Sequence, residues 1–409
     1  MRITFTHKFL DTLLLALLVF SGGGLLFVFN RNLFSVVLLV VAVCCVFFMG
    51  RQLKRSVFNA SLFTFLIFSA LILVNYTFAP GDQKFLKYGF HLMNITSCIF
   101  ILIHFKNNRN AEYFLSRMRY VLRMVLYFSV INFLVYFIIK SHLTPVYGGW
   151  NNGYVADTFN FLFFYNPEKH AFNFFGIQLI RNQGWFWEPG VNQVYLNILL
   201  YLEGFIFKRG KWIIPLIVFA IITTYSTTGI LIMMIVLVFI FLKSIKRSPL
   251  LYVFLALLIS YPLFRIAQSN LEHKTNENAS SMNKRIFDLV QPLAIAIDHP
   301  VTGVGLDIEH FQKYRSEYFL DSKAQNLLAV QHTEKGSTNS ITFLIAATGF
   351  PISLFLLYAL IKQDLFRHRK RVFMTVIIIS VLSEPLLLRP FFLILIVSGM
   401  FVFFRRFTK

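Results

Sequence analysis

The chain has 409 residues, of which 57% are hydrophobic, 17% aromatic and only 14% charged; an ordinary soluble domain carries about 45–50% apolar and about 25% charged residues. So much Phe, Leu and Ile excludes a water-soluble fold, and the scarcity of charge, Pro and Gly excludes a disordered or collagen-like one. A net charge of +21 would suggest nucleic acid in a soluble protein, but its distribution along this chain points to membrane orientation instead.

Apolar runs lie near 10–29, 33–50, 57–79, 85–105, 120–139, 190–207, 213–242, 249–264, 340–361, 372–388 and 390–404. The first ends in Asn30-Arg31-Asn32, not in a small-residue cleavage site, and reads as a retained span. One set of short connections is densely basic: Arg51 to Arg55, Lys106 to Arg123, Lys208 to Lys211, Lys243 to Arg247, Lys362 to Arg371 and Arg405-Arg406. With Arg2, Lys8 and Lys409, that side holds 24 of the 39 Lys and Arg but only four of the 18 acids, Asp11, Glu112, Glu203 and Asp364. The remaining 15 basic and 14 acidic residues nearly cancel. The positive-inside rule puts the basic side, and both termini, in the cytoplasm. The run 213–242 is uncharged and about 45 Å long as a straight helix. Its flanks are both basic, so it crosses an even number of times or re-enters, turning at Thr223 to Gly229. Counted as two, it gives about twelve segments.

The expected organisation is therefore an all-α polytopic membrane protein with two long extracytoplasmic loops. N-terminal transmembrane helices occupy 1–139, a first long loop 140–189 and central helices 190–264, with a short or re-entrant pair at 213–242. A second long loop covers 265–339 and C-terminal helices 340–409. Cys44, Cys45 and Cys98 lie in apolar runs, so neither a disulfide framework nor a Cys/His metal spacing is expected. Cys98, Asp11 and the methionines read as packing or helix-end residues.

The first loop closes with Arg181-Asn182-Gln183-Gly184-Trp185-Phe186-Trp187-Glu188-Pro189-Gly190. Pro189 suits the first turn of the helix that follows, which puts Glu188 at the outer boundary as a helix cap or as a base. Trp185 and Trp187 beside Arg181 and Glu188 suit sugar stacking or an interfacial aromatic belt. In the second loop, 284–298 reads as an amphipathic helix with Arg285 near its start and Ile286, Phe287, Leu289, Val290, Leu293 and Ile297 as its apolar stripe. Asp298-His299-Pro300-Val301-Thr302-Gly303-Val304-Gly305 ends it, and the two glycines allow close backbone approach to a ligand. No strand precedes Gly303-Val304-Gly305 and no Gly-Lys-Ser follows, so it is not a phosphate loop by itself. The loop returns through Gly336-Ser337-Thr338-Asn339-Ser340 into a span containing Gly349 and Pro351.

Five features stand in order: Arg-x-x-Gly-x-Phe-x-Glu-Pro-Gly, the Ser226–Gly229 break, Arg285 with Asp298-His299-Pro300-x-x-Gly-x-Gly, Thr338-Asn339, and Thr348-Gly349. Together they resemble the O-antigen ligase/polymerase superfamily. Within it, the Glu-Pro-Gly and Ser-Thr-Asn-Ser forms look more like the Wzy-type polysaccharide polymerases than the lipopolysaccharide ligases. The resemblance implies a metal-independent, GT-C-like glycosyltransferase without cofactors, acting on undecaprenyl-pyrophosphate-linked glycans at the periplasmic face of the bacterial inner membrane. A growing chain would pass to the sugar of a newly flipped repeat unit, building O-antigen, capsule or exopolysaccharide. Membrane lipids, a flippase and a chain-length regulator are the implied partners, and nucleic acid is not. In the ligases a His precedes the Asn of the fourth motif; here Thr338 stands there, which counts against a ligase and leaves the base unassigned by family.

Transfer from a lipid pyrophosphate needs cations for the leaving group and a base for the acceptor hydroxyl. Arg binds phosphate oxygens in bidentate fashion, so Arg181 and Arg285 are the candidates for the pyrophosphate, with Arg389, paired with Glu384, as a third. Glu188 is the favoured base and His332, seven residues before Asn339, the alternative. Thr338 and Asn339 would orient donor or acceptor, and His299 would shape its loop. The competing reading is a lipid-linked-oligosaccharide flippase or another transporter. Transporters, however, place charges and helix breaks near mid-membrane, often in repeated halves, whereas here the polar residues gather at one boundary.

Overall fold

The computed structural model describes residues 2–25, 30–49, 53–108, 110–147, 155–165, 171–174, 177–208, 212–247, 279–317 and 337–405. Helices α1 (Arg2–Phe20), α2 (Arg31–Met49), α3 (Arg55–Phe78), α4 (Phe85–Asn108) and α5 (Ala111–Ile139) precede the first long loop. Between the loops lie α6 (Pro189–Tyr201), α7 (Ile213–Thr223) and α8 (Thr227–Arg247). The second loop contains α9 (Ala279–Asp298) and α10 (Ile308–Glu317), and α11 (Ser340–Lys362), α12 (Lys370–Ser383) and α13 (Pro390–Arg405) follow it. In α2 to α5 and in α11 the apolar stretch is long enough to cross a bilayer; α7, Thr227–Leu242 and Pro390–Phe404 are shorter apolar helices. Helices satisfy every backbone polar group internally, as a hydrocarbon environment demands, and the chain is a multi-pass membrane protein. The run 249–264, one of the twelve expected segments, lies outside the described residues.

Every residue of α6 is buried, Asn192, Gln193 and Asn197 included, and it packs against α5, α7, α8 and α12. A π-helical turn, Leu202–Phe207, carries it on to Lys208. The long apolar run 213–242 divides at Thr224-Tyr225-Ser226, where Tyr225 adopts a left-handed φ of 48°. Ser226 Oγ accepts from Gly229 N at 3.2 Å and so starts α8.

The first long loop is not irregular, as the sequence reading had it. Antiparallel strands β1 (Thr144–Tyr147), β2 (Val155–Phe159) and β3 (Phe163–Tyr165) form one sheet, and β4 (Ala171–Phe174) pairs with β5 (Ile177–Ile180) in another. Strands of three to five residues show little period-two signal; only in β2, where Ala156 and Thr158 point inward, does the alternation register. Tyr165 anchors the sheet by donating to Asn132 O at 2.8 Å.

At the end of the bundle carrying the basic connections (the basic end), three of the four acids join helices. Asp11 on α1 lies 2.6 Å from His104 Nε2 on α4 and accepts from the Tyr113 hydroxyl at 2.6 Å. This buried cluster gives Asp11 a tie between helices, more than a helix-end role. Glu203 accepts from Arg119 at 2.8 and 2.9 Å and from Arg123 at 2.6 Å. Asp364, in the turn between α11 and α12, accepts from Lys106 at 2.8 and 2.9 Å and from Arg367 at 3.0 Å. Burial works to raise the Asp364 carboxyl, but Lys106 and Arg367 together hold it below its usual range. A depressed native value stabilises the fold above the unfolded value, and that contribution is lost as pH falls through the native one. Asp364→Asn is therefore expected to cost about 1–3 kcal/mol near neutrality. In thermal melts its difference from the parent should begin to shrink as pH falls below about 4, the ordinary Asp range, and vanish only below the depressed native value.

The helix of the second loop differs from expectation in two ways. It begins at Ala279, and the face it buries carries Phe287, Asp288, Gln291, Ile295 and Ala296, while Leu289, Val290 and Ile297 are exposed. Two polar residues lie inward because they bind a buried arginine of α10. After α9 the segment 300–305 locks onto α11. The α11 ladder breaks at Gly349 (φ 72°, ψ 172°). The carbonyls of Ala346 and Ala347 accept from Val304 and Gly305 at 2.9 Å each, and Phe350 N donates to Pro300 O at 2.8 Å. Asn75 of α3 adds donations to Thr302 O at 2.7 Å and Ala347 O at 3.0 Å.

Candidate active site

The 181–190 motif is held at the end of the bundle opposite the basic connections, the long-loop end. Arg181 Nε donates to Thr224 O at 3.0 Å, just after α7. The Asn182 side chain donates to Ser129 O at 2.9 Å and Thr223 Oγ1 at 3.0 Å, and its backbone N–H donates to Thr223 O at 2.9 Å. Gly184 takes a left-handed φ of 55°, and a Cβ there would press on Ser129 Oγ. Residues 185–187 then run antiparallel to the glycines after α1: Leu25 N donates to Trp185 O at 2.9 Å and Trp187 N to Gly23 O at 3.1 Å. Trp185 stacks on Phe128 with centroids 4.1 Å apart, and Phe186 stacks on Tyr195 at 4.7 Å. Both tryptophans are thus partly packed into the bundle, which fixes the direction in which the motif enters α6.

Glu188 is the N-cap residue of α6 and Pro189 its first helical residue. The Glu188 carboxylate makes no capping hydrogen bond to the helix; only its backbone carbonyl serves α6, accepting from Val191 and Asn192. A Cβ on Gly190 would collide with the Glu384 carboxylate, so glycine lets the turn between α12 and α13 touch the Glu-Pro-Gly motif. That turn is tied to the start of α11: Ser340 Oγ donates to Glu384 O at 2.6 Å and accepts from Leu386 N at 2.8 Å. Arg389 closes the turn. Burial pushes its guanidinium down to about 10, with Tyr195 acting the other way, and it remains cationic at neutral pH.

Sequence reasoning missed the cluster next to this turn. Asp288 pairs with Arg315 and accepts from the Thr338 hydroxyl at 2.6 Å and the Thr338 N–H at 3.0 Å. Gln291 exchanges hydrogen bonds with Arg315, and Ser337 Oγ and Thr342 Oγ1 donate to Asp288 O at 2.9 and 3.1 Å. The one sequence signal was the spacing of Arg285 and Asp288, which puts them on one helix face. Arg315 is about thirty residues away in sequence and gave none.

Among the candidates, the structure joins Arg181, Trp185, Trp187 and Glu188 in one strand-like entry to α6, with Arg389 on the neighbouring turn. Thr338 belongs to the Asp288 cluster. Asn339 is the N-cap of α11, accepting from Ile341 N at 3.1 Å and Thr342 N at 3.2 Å. The close backbone approach expected of Gly303 and Gly305 is made to α11, and a Cβ on Gly303 would strike Ala346 O. His299 lies edge-on to Tyr314, within its own loop. Arg285 stands in the first half of α9, but its side chain lies outside the described residues, as does the whole of His332. Among the described residues no three of His, Cys, Asp or Glu gather as metal ligands would.

The site thus couples a carboxylate at a helix start, cations on separate elements and a hydroxyl-rich cluster, all at one end of an apolar bundle. Residues 212–357, from α7 into α11, match the family model described as O-antigen ligase. No curated protein matches the chain. This domain is similar to the O-antigen ligase family and supports a place for the chain near the O-antigen ligase/polymerase superfamily of membrane enzymes.

Proposed function

We propose that the chain polymerises undecaprenyl-pyrophosphate-linked repeat units into O-antigen, capsule or exopolysaccharide at the periplasmic face of the bacterial inner membrane, with the long-loop end facing the periplasm. Glu188 takes the proton of the acceptor hydroxyl as that oxygen attacks the anomeric carbon of the donor chain. Arg181 and Arg285 hold the pyrophosphate as it leaves with its carrier lipid, where charge develops. Trp185 and Trp187 flank the sugar, and Thr338, Asn339 and Arg389 position the two substrates. The reaction needs neither metal nor cofactor, and a flippase and a chain-length regulator act before and beside it.

The observation that carries this reading is the pairing of Thr338 with Asp288. At the position where the ligases place a histidine, this chain has a hydroxyl that is spent on a buried carboxylate. The Glu188 side chain, at the head of α6, is not spent on capping. A ligase remains the second reading, because the matching family model bears that description.

Arg181→Ala, in a host lacking its own copy, is expected to reduce chain growth by about 10- to 100-fold, with single lipid-linked repeats still reaching the periplasm. Gel electrophoresis of the surface glycan separates the readings. Long polymer left on its lipid carrier would replace the polymerase with a ligase, and repeats stranded in the cytoplasm would replace both with a flippase.

A further inference from the structure

The tip of the β2–β3 hairpin reads Phe159-Asn160-Phe161-Leu162-Phe163, four apolar residues where turns are ordinarily polar. Leu162 N donates to Phe159 O at 3.0 Å and closes it. Phe161 is 72% and Leu162 55% exposed, so the tip is largely uncovered. Asn160 and Phe161 both take a left-handed φ, of 50° and 54°. Two such residues in a row favour Asn-Gly, because glycine meets no steric cost there. Phenylalanine in the glycine place strains the backbone and leaves a large ring exposed. Strain of this kind gathers at functional positions.

The course of β3 says what the tip meets. Along α5, Met124, Tyr127, Ile131, Leu134 and Ile138 follow at three- or four-residue spacing and all are exposed, the stripe a spanning helix turns to lipid. β3 runs beside that stripe: the Tyr165 hydroxyl donates to Asn132 O at 2.8 Å, and the Phe163 ring stacks on Phe128 with centroids 5.6 Å apart. From Tyr165 to Phe163 the strand therefore heads along α5 toward the basic end, and the tip lies at its far end. Arg123 and Lys140 bracket the uncharged part of α5. They stand about 26 Å apart at about 1.5 Å per residue, close to the ~30 Å hydrocarbon core. Phe128 lies about 18 Å from Lys140 on the same scale. That is the depth of acyl chains, where a polar turn would be costly.

The inner face of the hairpin is held by the protein: Ala156, Thr158 and Phe164 are buried, and Ala156 and Phe164 pack with Leu25 and Trp187. Only the tip is left open, and it continues the lipid-facing stripe of α5. We propose that residues 160–162 form a finger seated among the acyl chains of the surrounding bilayer, so that part of the first long loop lies within the membrane rather than outside it. The finger also bears on the candidate site. Phe128, on which Phe163 stacks, stacks in turn on Trp185 at 4.1 Å, so the bilayer braces the 181–190 motif through three rings. This inference stands on the chain's being a membrane protein and does not depend on the reaction it catalyses.

The test places the photoreactive residue p-benzoylphenylalanine at Phe161, or at Leu162, of the full chain in nanodiscs of phosphatidylethanolamine and phosphatidylglycerol. Mass spectrometry after irradiation should find adducts of phospholipid mass on the hairpin peptide. Their yield should match that of the same probe at Ile138, on the exposed stripe of α5. It should exceed by at least about tenfold the yield at Lys313, an exposed residue of the polar helix α10. With the probe at Leu162, Phe161→Asp should lower the lipid adduct by at least about tenfold, because a carboxylate withdraws the tip from the acyl chains. Phe161→Leu should leave it within about twofold. A phospholipid adduct from either position carries the proposal. If both positions instead crosslink to another peptide of this chain, crosslink to a second copy, or give no adduct, as a probe in water does, the proposal is overturned. The two probes are read in the parent background, so the result holds even where the Asp variant folds poorly.

Discussion

Glu188→Gln is expected to slow chain growth by about 100- to 10,000-fold, the usual contribution of a positioned general base. The amide keeps the size and the backbone of the N-cap residue, and no capping hydrogen bond of the side chain is at stake. The backbone links on either side, Trp187 N to Gly23 O and Val191 N to Glu188 O, involve no side-chain atom of Glu188. Polymer should disappear while the protein still folds, as its melting curve checks. Glu188→Asp keeps the charge but draws it back by one methylene, and should fall between the two. Wild-type polymer lengths from the Gln variant would remove Glu188 from the mechanism and turn attention to His332.

Gly349→Ala should have the largest effect on stability. Its φ of 72° and ψ of 172° lie in a region open essentially to glycine alone, at a cost of about 1–3 kcal/mol for other residues. The new Cβ would also meet the backbone of Pro300 and Val301, which cannot move aside as a flexible side chain would. A loss of more than about 3 kcal/mol is expected, seen as poor yield and early melting in detergent. Gly89→Ala is the matched control: it stands in α4 with nothing near its Cβ, and alanine in a helix should be neutral or stabilising by about 0.5–1 kcal/mol. Equal melting of the two variants would mean that the lock between 300–305 and α11 matters little.

What could be read from the linear chain follows from the range of the forces involved. Span positions depend on local hydropathy, and the helices of α2 to α5 and of α11 lie where the apolar runs place them. The break at 224–226 and the start of α6 at Pro189 have local causes too, a polar patch and a proline. The buried face of α9 has a remote cause. Asp288 and Gln291 turn inward because Arg315 of α10 waits there, and an apolar count cannot anticipate an ion pair across loops. The strands of the first loop were hidden for another reason: they are short, and their pairing depends on turns rather than on a long alternation. The site was legible as motifs, because Arg181 to Gly190 is one continuous piece. Its neighbour across space, Glu384 against Gly190, was not.

The hydrogen bonds that cross the borders of residues 212–357 bear on how relatives can be recombined. A chimera exchanging only that block would transplant the broken helix together with its donors at 300–305. It would still depend on the host's Asn75 reaching Ala347, on Asn182 finding Thr223, and on a 384–387 turn shaped to receive Ser340. Donor specificity should therefore move between relatives only when these foreign edges are carried along with the block.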